Sequence, residues 1–400
     1  MTQHWDEHYD AVVVGGGPAG ATAATELARD GWSVLLLDKA GRIKPCGGAV
    51  PPRLIRDYAI PDELIVARAT SARMISPSEQ EVIMPIDGGY VGMVDRGEFD
   101  EWLRNRAASE GAERRAGTFM ALARSPSGHP VVVYKPGDKG RPRRVRAGAV
   151  IGADGANSQV RREALADVPR IPYVFAYHEI IRSPATAKAS PFAGDRCEIY
   201  YQGRLSPDFY AWVFPHGNTT SVGVGSAIKG FSLREATART RETSGLADAE
   251  TIRCEGAPIP MKPLKRWDNR RDTLVVGDAA GVVAPASGEG IYYAMLSGEL
   301  GGRAASEFLA TGDARALAAP RKAFMKKHGR VFMILGLLQY FWYCNDKRRE
   351  SFVKMCRDED LQRLTWQAYM NKELVRRDPL AHLKVLSKDI AHLVGMASPR

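Results

Sequence analysis

Between a β-branched run and an alanine-rich stretch lie Gly15-Gly16-Gly17-Pro18-Ala19-Gly20, and no other feature restricts the fold of this chain as much. Asp10 to Val14 has strand character and Ala21 to Ala28 has helix character. Gly31 then stops the helix, and Ser33 to Leu37 gives a second buried strand ending on Asp38. The spacing predicts a βαβ unit over the first forty residues. In Gly15-x-Gly17-x-x-Gly20 the first glycine makes the tight turn, the second admits a pyrophosphate and the third lets the helix pack closely. Pro18 and Ala19 open that helix, whose N-terminus faces phosphate charge. Asp38, followed by Lys39, stands where a carboxylate accepts ribose hydroxyls. The chain therefore opens with half of a nucleotide-binding domain.

With 400 residues there is room for two or three domains. Residues 69–91 and 171–228 alternate short apolar runs with Pro, Gly and aromatics and read as an antiparallel sheet inserted twice. Glu98 to Glu110 has helical spacing, and Val131 to Val150 reads as a hairpin around Pro-Gly-Asp-Lys-Gly. Val150 to Asp154 reads as a return strand. Thr273 to Val276 is a further short strand, and a helical pattern follows from Gly290 to Leu309. From Arg321 the chain is helical, basic and aromatic. The expected division is a discontinuous nucleotide-binding domain (1–68, 95–168, 271–318), a sheet domain (69–94, 169–270) and a helical C-terminal region (319–400).

Composition narrows the function classes. Apolar residues make up 44% and charged residues 26%, as in globular proteins, and no segment has the roughly 18 apolar residues in a row that a spanning helix needs. Met1 to Asp10 is polar and lacks the pattern of an export signal, so a cytoplasmic location is expected. Cys46, Cys197, Cys254, Cys344 and Cys356 are scattered without a short-spaced pair, which fits a reducing compartment and predicts no metal site. The net charge of +10 calls for an anionic partner. Its basic residues cluster at 141–146, 321–330 and 347–349 without a nucleic-acid module, so no nucleic-acid partner is expected.

Two later motifs change the reading from any nucleotide to a particular one. Gly152-Ala153-Asp154-Gly155-Ala156-Asn157-Ser158 with Val160-Arg161-Arg162, and Gly277-Asp278, each follow a strand. In order and spacing they resemble the two Asp-containing fingerprints of the aromatic hydroxylase-like flavoproteins. The resemblance implies an α/β plus α+β protein with a Rossmann-type FAD-binding domain of the glutathione reductase/p-hydroxybenzoate hydroxylase kind, an antiparallel-sheet substrate domain and a helical C-terminal tail. It implies FAD as cofactor, contacted by Asp154, Gly155, Gly277 and Asp278, and by Arg96 toward the phosphate and adenine side. Ser287-Gly288-Glu289-Gly290-Ile291 opens a helix whose first amides, at Gly288, Gly290 and Ile291, would face the flavin and stabilise its anionic reduced ring.

Over nearly its whole length the chain is similar to the geranylgeranyl reductases of (bacterio)chlorophyll biosynthesis. Lys44-Pro45-Cys46-Gly47-Gly48-Ala49 is similar to their Pro-Cys-Gly-Gly element, Tyr210-Ala211-Trp212-Val213-Phe214-Pro215 to their Tyr-x-Trp-x-Phe-Pro motif, and Val222-Gly223-Val224-Gly225 follows as it does there. Ile75-Ser76-Pro77, residues 90–94 and the tail from Leu337 to Lys372 resemble the pigment branch rather than the archaeal lipid branch. The implied reaction saturates three isolated alkenes of a geranylgeranyl group to phytyl, on the pigment ester or on geranylgeranyl diphosphate.

Hydride would come from reduced FAD, with NADPH or a ferredoxin-like acidic carrier as reductant. Cys46, Gly47, Gly48, Tyr210, Trp212 and Phe214 are the candidate catalytic residues. Strand alternation puts the three aromatics on one face, which suits either a cavity wall or a plain core. Cys46 and Gly47 also stand beside the cofactor, with Cys46 read as a proton donor, a redox thiol or a tight-turn residue. Residues 331–343, apolar but short, suit core packing or a membrane surface. Three other readings stay open: a flavin-dependent aromatic hydroxylase, a polyprenyl lipid reductase, and a non-catalytic flavin-binding, pigment-handling protein.

Overall fold

A computed structural model describes residues 7–39, 44–137, 140–165, 167–168, 171–184 and 192–372. The helical tail expected beyond residue 372, Met1 to Asp6, and Asp138 and Lys139 of the hairpin turn lie outside these. The chain divides into two compact units. One comprises Met1–Cys46, Arg96–Val174 and Pro258–Met333, the other Gly47–Asp95, Phe175–Ala257 and Ile334–Arg400. The sequence division had placed residues 47–68 with the nucleotide domain. They fall instead with the sheet unit, because Ala49–Val50 and Ala67–Ala69 both pair with the Val91–Met93 strand.

The first unit is built on four parallel strands, Val34–Asp38, Glu7–Val14, Arg143–Gly152 and Thr273–Val275, adjacent in that order. Glu113–Ala116 extends one side in parallel, and the hairpin partner Pro130–Lys135 and then Thr118–Arg124 add antiparallel to the other. Strands of Val, Leu and Ala buried on both faces are what a parallel layer between helices requires. The helices Pro18–Arg29 and Ile291–Thr311 cover one face and meet backbone to backbone. A Cβ on Gly298 would stand 2.1 Å from the carbonyl oxygen of Ala19, so only hydrogen fits there. Parallel strands share a direction, so Gly15, Asp38, Asp154 and Gly277 all emerge at one carboxyl edge.

The second unit carries a seven-stranded sheet in the order Thr251–Pro260, Tyr173–Arg182, Thr219–Ser226, Ala211–His216, Arg196–Tyr200, Ser71–Ile75, Glu81–Pro85. The sequence expectation of an antiparallel sheet needs one correction. Ser71–Ile75 and Arg196–Tyr200 pair in parallel, since they belong to separate insertions and no hairpin joins them. On one face Ala211, Val213, Val222, Val224 and Ile181 pack with Ala236 of the Leu233–Thr243 helix and with Leu246 to form the apolar core.

The tail forms the helices Ala319–Trp342, Asp346–Met355 and Glu359–Asn371. Arg349 does not join Lys347 and Arg348 as surface charge. It is 2% exposed and binds Asp346 and the carbonyls of Tyr343 and Pro207. Of residues 331–343, Phe332, Trp342 and Tyr343 are buried, as core packing requires, whereas Met333, Ile334, Leu337, Tyr340 and Phe341 are exposed. Among the described residues no helix is long and apolar enough to cross a membrane.

Candidate functional site

In the first unit the site begins with the glycine turn. Gly15 has φ +106°, and a Cβ there would lie 2.3 Å from the Ala153 carbonyl oxygen. The turn can therefore press against the Asp154 strand end only with glycine. Gly20 closes on the Gly15 carbonyl in the same way. Gly17 is different: its Cβ would meet nothing within 4 Å. It is also the N-cap of Pro18–Arg29, a helix start with no side-chain cap, so the first-turn amides face open space. An anion fits there.

Asp38 holds the turn from the neighbouring strand end. Its Oδ1 accepts the Gly16 amide at 2.9 Å, and its Oδ2 lies 3.4 Å from Arg104 Nη1, which also donates to the Gly16 carbonyl at 3.2 Å. Lys39, next in the chain, is exposed. Arg104 is a contributor the sequence reading missed, for it carries no local motif and reaches the turn only through the helix Arg96–Ser109.

Asp154 caps the following helix, its Oδ2 accepting from the amides of Gln159 and Val160 at 2.7 and 3.1 Å. Its Oδ1 is buried with no hydrogen-bond partner. Burial pushes the carboxyl above its ordinary range in spite of those donors and Ser158. Gly155 beside it has φ +81° and open space at its Cβ position. An orphaned carboxylate oxygen at the carboxyl edge is the kind of group a ligand donor satisfies.

Asp278, 7% exposed, follows Gly277 (φ +62°) and pairs with Lys44. Its Oδ1 lies 3.8 Å from the Cβ position of Gly290, the N-cap of Ile291–Thr311, which has no side-chain cap either. Gly288 has φ +66°, and Ala286 has φ +64°, unusual for a residue with a side chain. Ile291 is 4% exposed. Lys44, Asp278 and Gly288 to Ile291, three separate motifs, are therefore brought together. Arg96 is 5% exposed, with Nε and Nη2 each 2.8 Å from Asp100, and it also binds Cys46. Burial works against its charge, yet Asp100 and Cys46 outweigh burial and raise its affinity for the proton. It lies inside the protein, joined to both Asp100 and Cys46.

In the second unit the opposite face of the core-forming sheet carries the aromatics. Tyr210 sits just ahead of the Ala211–His216 strand, and its ring meets Trp212 at 6.0 Å, edge on. Trp212 meets Phe214 at 6.2 Å, and Phe209 stacks on Tyr210 at 4.2 Å. Gly223 pairs with Trp212 on one side and with His178 on the other, and its Cβ would stand 2.3 Å from the indole. The Val-Gly-Val-Gly run thus clears the space into which the indole lies. Gly47 approaches the Phe214 ring (3.1 Å from its Cβ position), and Gly48, φ +69°, approaches His216. His216 is held down to about 4, mainly by desolvation. No local motif marks His216, at the end of the aromatic strand, or His178 and Ser221, which bear on the aromatics from neighbouring strands.

Known proteins place this geometry. The family described as FAD binding domain matches residues 8–324. A geranylgeranyl diphosphate reductase of Rhodobacter capsulatus is 54% identical, covering 98% of this chain and 99% of its own. A geranylgeranyl diphosphate reductase of Synechocystis is 36% identical, covering 96% and 97%. Among solved structures, a geranylgeranyl bacteriochlorophyll reductase-like protein of Thermoplasma acidophilum superposes with a TM-score of 0.80 at 22% identity, over 96% of this chain and 99% of that one, and so supports the fold. The chain belongs to the FAD-binding-domain flavoproteins and, within them, to the geranylgeranyl diphosphate reductase family.

Proposed function

We propose that this protein is an FAD-dependent reductase that saturates the three isolated alkenes of a geranylgeranyl group to give phytyl, in bacteriochlorophyll biosynthesis. The observation that carries this reading is the two-faced strand Ala211–His216. Its small and branched residues build the core, while its aromatic residues line up on the other face, where a plain sheet protein has no need of a continuous ladder of rings.

Bound reduced FAD supplies a hydride equivalent from N5. The residues named for holding it are Gly15, Gly17, Pro18, Ala19 and Gly20 at the pyrophosphate, Asp38 and Lys39 at the ribose, Asp154, Gly155, Gly277 and Asp278 along the chain, and Gly288, Gly290 and Ile291 at the ring. Arg96 acts through Cys46, and Cys46 and Gly47 close the cofactor side. Saturation of an unactivated alkene takes a proton on one carbon and a hydride on the other, and positive charge develops on the carbon that receives the hydride. Tyr210, Trp212 and Phe214 offer π faces to that charge and keep water from it. Cys46 lies beside the Arg96 guanidinium, which Asp100 holds in place.

The reductant in this reading is NADPH, with an acidic ferredoxin-like carrier as the alternative that the net charge of +10 would suit. Peripheral contact with a membrane belongs to the same proposal. It is supported by the exposed residues Met333, Leu337 and Tyr340 and by Arg348, whose guanidinium lies 5.6 Å over the Phe341 ring.

The test is anaerobic incubation of FAD-loaded protein with geranylgeranylated bacteriochlorophyll and, separately, geranylgeranyl diphosphate, under NADPH or dithionite, read by mass spectrometry. Stepwise gain of hydrogen on the pigment ester is the expected result. Gain on the diphosphate alone moves the enzyme one step earlier, and no gain on either with a reducible flavin sinks the proposal.

A further inference from the structure

Trp212 is fastened from behind by a chain of hydrogen bonds that the proposed chemistry does not require. Its Nε1 donates to Ser221 Oγ at 3.1 Å, and Ser221 Oγ lies 2.9 Å from His178 Nδ1. His178 Nε2 lies 3.1 Å from Glu255 Oε2, and Glu255 Oε1 accepts from Arg253 Nε at 2.8 Å. Ser221 is 0% and His178 3% exposed. A carboxylate only accepts, so His178 donates from Nε2, and in the neutral imidazole Nδ1 is then the acceptor for the Ser221 hydroxyl, whose oxygen takes the indole N–H.

A serine, a histidine and a glutamate in line invite comparison with a hydrolytic triad. Ser221 cannot serve as its nucleophile: it is fully buried, and its oxygen already accepts from Trp212. Burial works to raise the Glu255 carboxyl, but His178 and Arg253 more than offset it and keep it below its ordinary range, so the far end of the chain stays an acceptor. Cross-strand pairing fixes the parts. His178, Gly223 and Trp212 form one row across three strands, and Ser221 stands two residues from Gly223 on the same face.

We propose that Ser221, His178 and Glu255 are positioning residues that fix the plane of the Trp212 indole, and that this fixed plane lets one aromatic wall accept the polyprenyl chain in each of the registers that successive reductions need. The inference rests on the reductase reading above. A ring free to rotate about its χ angles gives the chain several competing seats, so substrate binds less tightly and leaves before saturation is complete. A clamped ring presents the same face to each alkene in turn, whichever register the chain occupies.

The experiment compares FAD-loaded wild type with Ser221→Ala, Trp212→Phe, the double variant, Glu255→Gln and Ser221→Thr. Substrate KM, kcat, product distribution, flavin content and Tm are followed. Ser221→Ala and Trp212→Phe are each expected to raise KM about fivefold, the effect of one lost hydrogen bond, and to release partly saturated products. The double variant should be no worse than either single one, because both cut the same link. Ser221→Thr, which keeps the hydroxyl, should restore the wild-type distribution.

Ultraviolet resonance Raman difference spectra, wild type minus Trp212→Phe, should show a hydrogen-bonded indole N–H that weakens in Ser221→Ala. If Ser221→Ala does not fold, Glu255→Gln, which exchanges the carboxylate acceptor for a neutral amide, weakens the chain at its partly exposed end and is read in the same way. Wild-type KM and product distribution in Ser221→Ala, or an unchanged indole signature, would overturn the proposal. A wild type that reduces no alkene sinks the reductase reading instead, while the Raman comparison still decides whether the indole is clamped.

Discussion

The two units hold their functional positions by different means. In the nucleotide-binding unit the decisive atoms belong to the backbone: the Gly15 turn against the Ala153 carbonyl, the open amides after Gly17, and four strand ends at one edge. In the sheet unit they belong to side chains, with rings from Phe209 to Phe214 spaced along a strand and held by Ser221 and His178 from neighbouring strands. A backbone site tolerates almost any side chain that stays out of its way and fails abruptly when a Cβ is added. A side-chain site survives substitution as a fold and loses function by degrees. Their failures should therefore look different in the same assays.

The largest effect is expected for Gly15→Ala. A left-handed φ together with a 2.3 Å contact to backbone should cost about 3 kcal/mol or more and remove bound flavin and fold stability together, read by flavin per chain and urea midpoint. Gly223→Ala is the counterpart in the wall. Its Cβ meets a side chain rather than backbone, so a cost of about 2 kcal/mol with full flavin content but impaired alkene reduction is expected. Equal loss of flavin in both variants would erase the distinction.

His216 supplies a pH test confined to the sheet unit. Its imidazole, ordinarily near 6.5, is held down to about 4, so in this window the unfolded chain binds a proton that the folded chain refuses. Stability present above pH 6.5 should fall by about 3 kcal/mol on acidification towards pH 4, and His216→Asn should flatten that slope in denaturant titrations. Smallest in stability is Gly17→Ala: with nothing within 4 Å, the apoprotein should change by less than about 1 kcal/mol while FAD binds about tenfold more weakly, measured by flavin titration.

The same difference explains what could be read from the sequence. Backbone sites leave local signatures, since a turn that accepts only glycine writes glycine at fixed spacing, and so Gly15 to Gly20, Asp154-Gly155 and Gly277-Asp278 could be placed at strand ends before the strands were seen. The aromatic motif was visible as alternation, but alternation does not tell a wall from a core. The structure adds that the opposite set, Ala211 and Val213, belongs to the apolar cluster, while Tyr210 and Trp212 are themselves buried. Arg104, Ser221, His178 and Glu255 were not legible at all, because each acts on a partner brought near only by strand order or by a helix crossing a turn. The parallel pairing of Ser71–Ile75 with Arg196–Tyr200 was hidden for the same reason, its partners lying far apart in the chain.

The contact between Gly298 and Ala19 has a consequence of its own. It joins two helices that each begin with an uncapped start, one at Gly17 and one at Gly290, and it joins them without an intervening side chain that could flex. Two positively polarised helix ends at a set separation behave as the jaws of a caliper. A ligand with an anionic group at each end would find them met by two helix starts whose relation no side chain can relax.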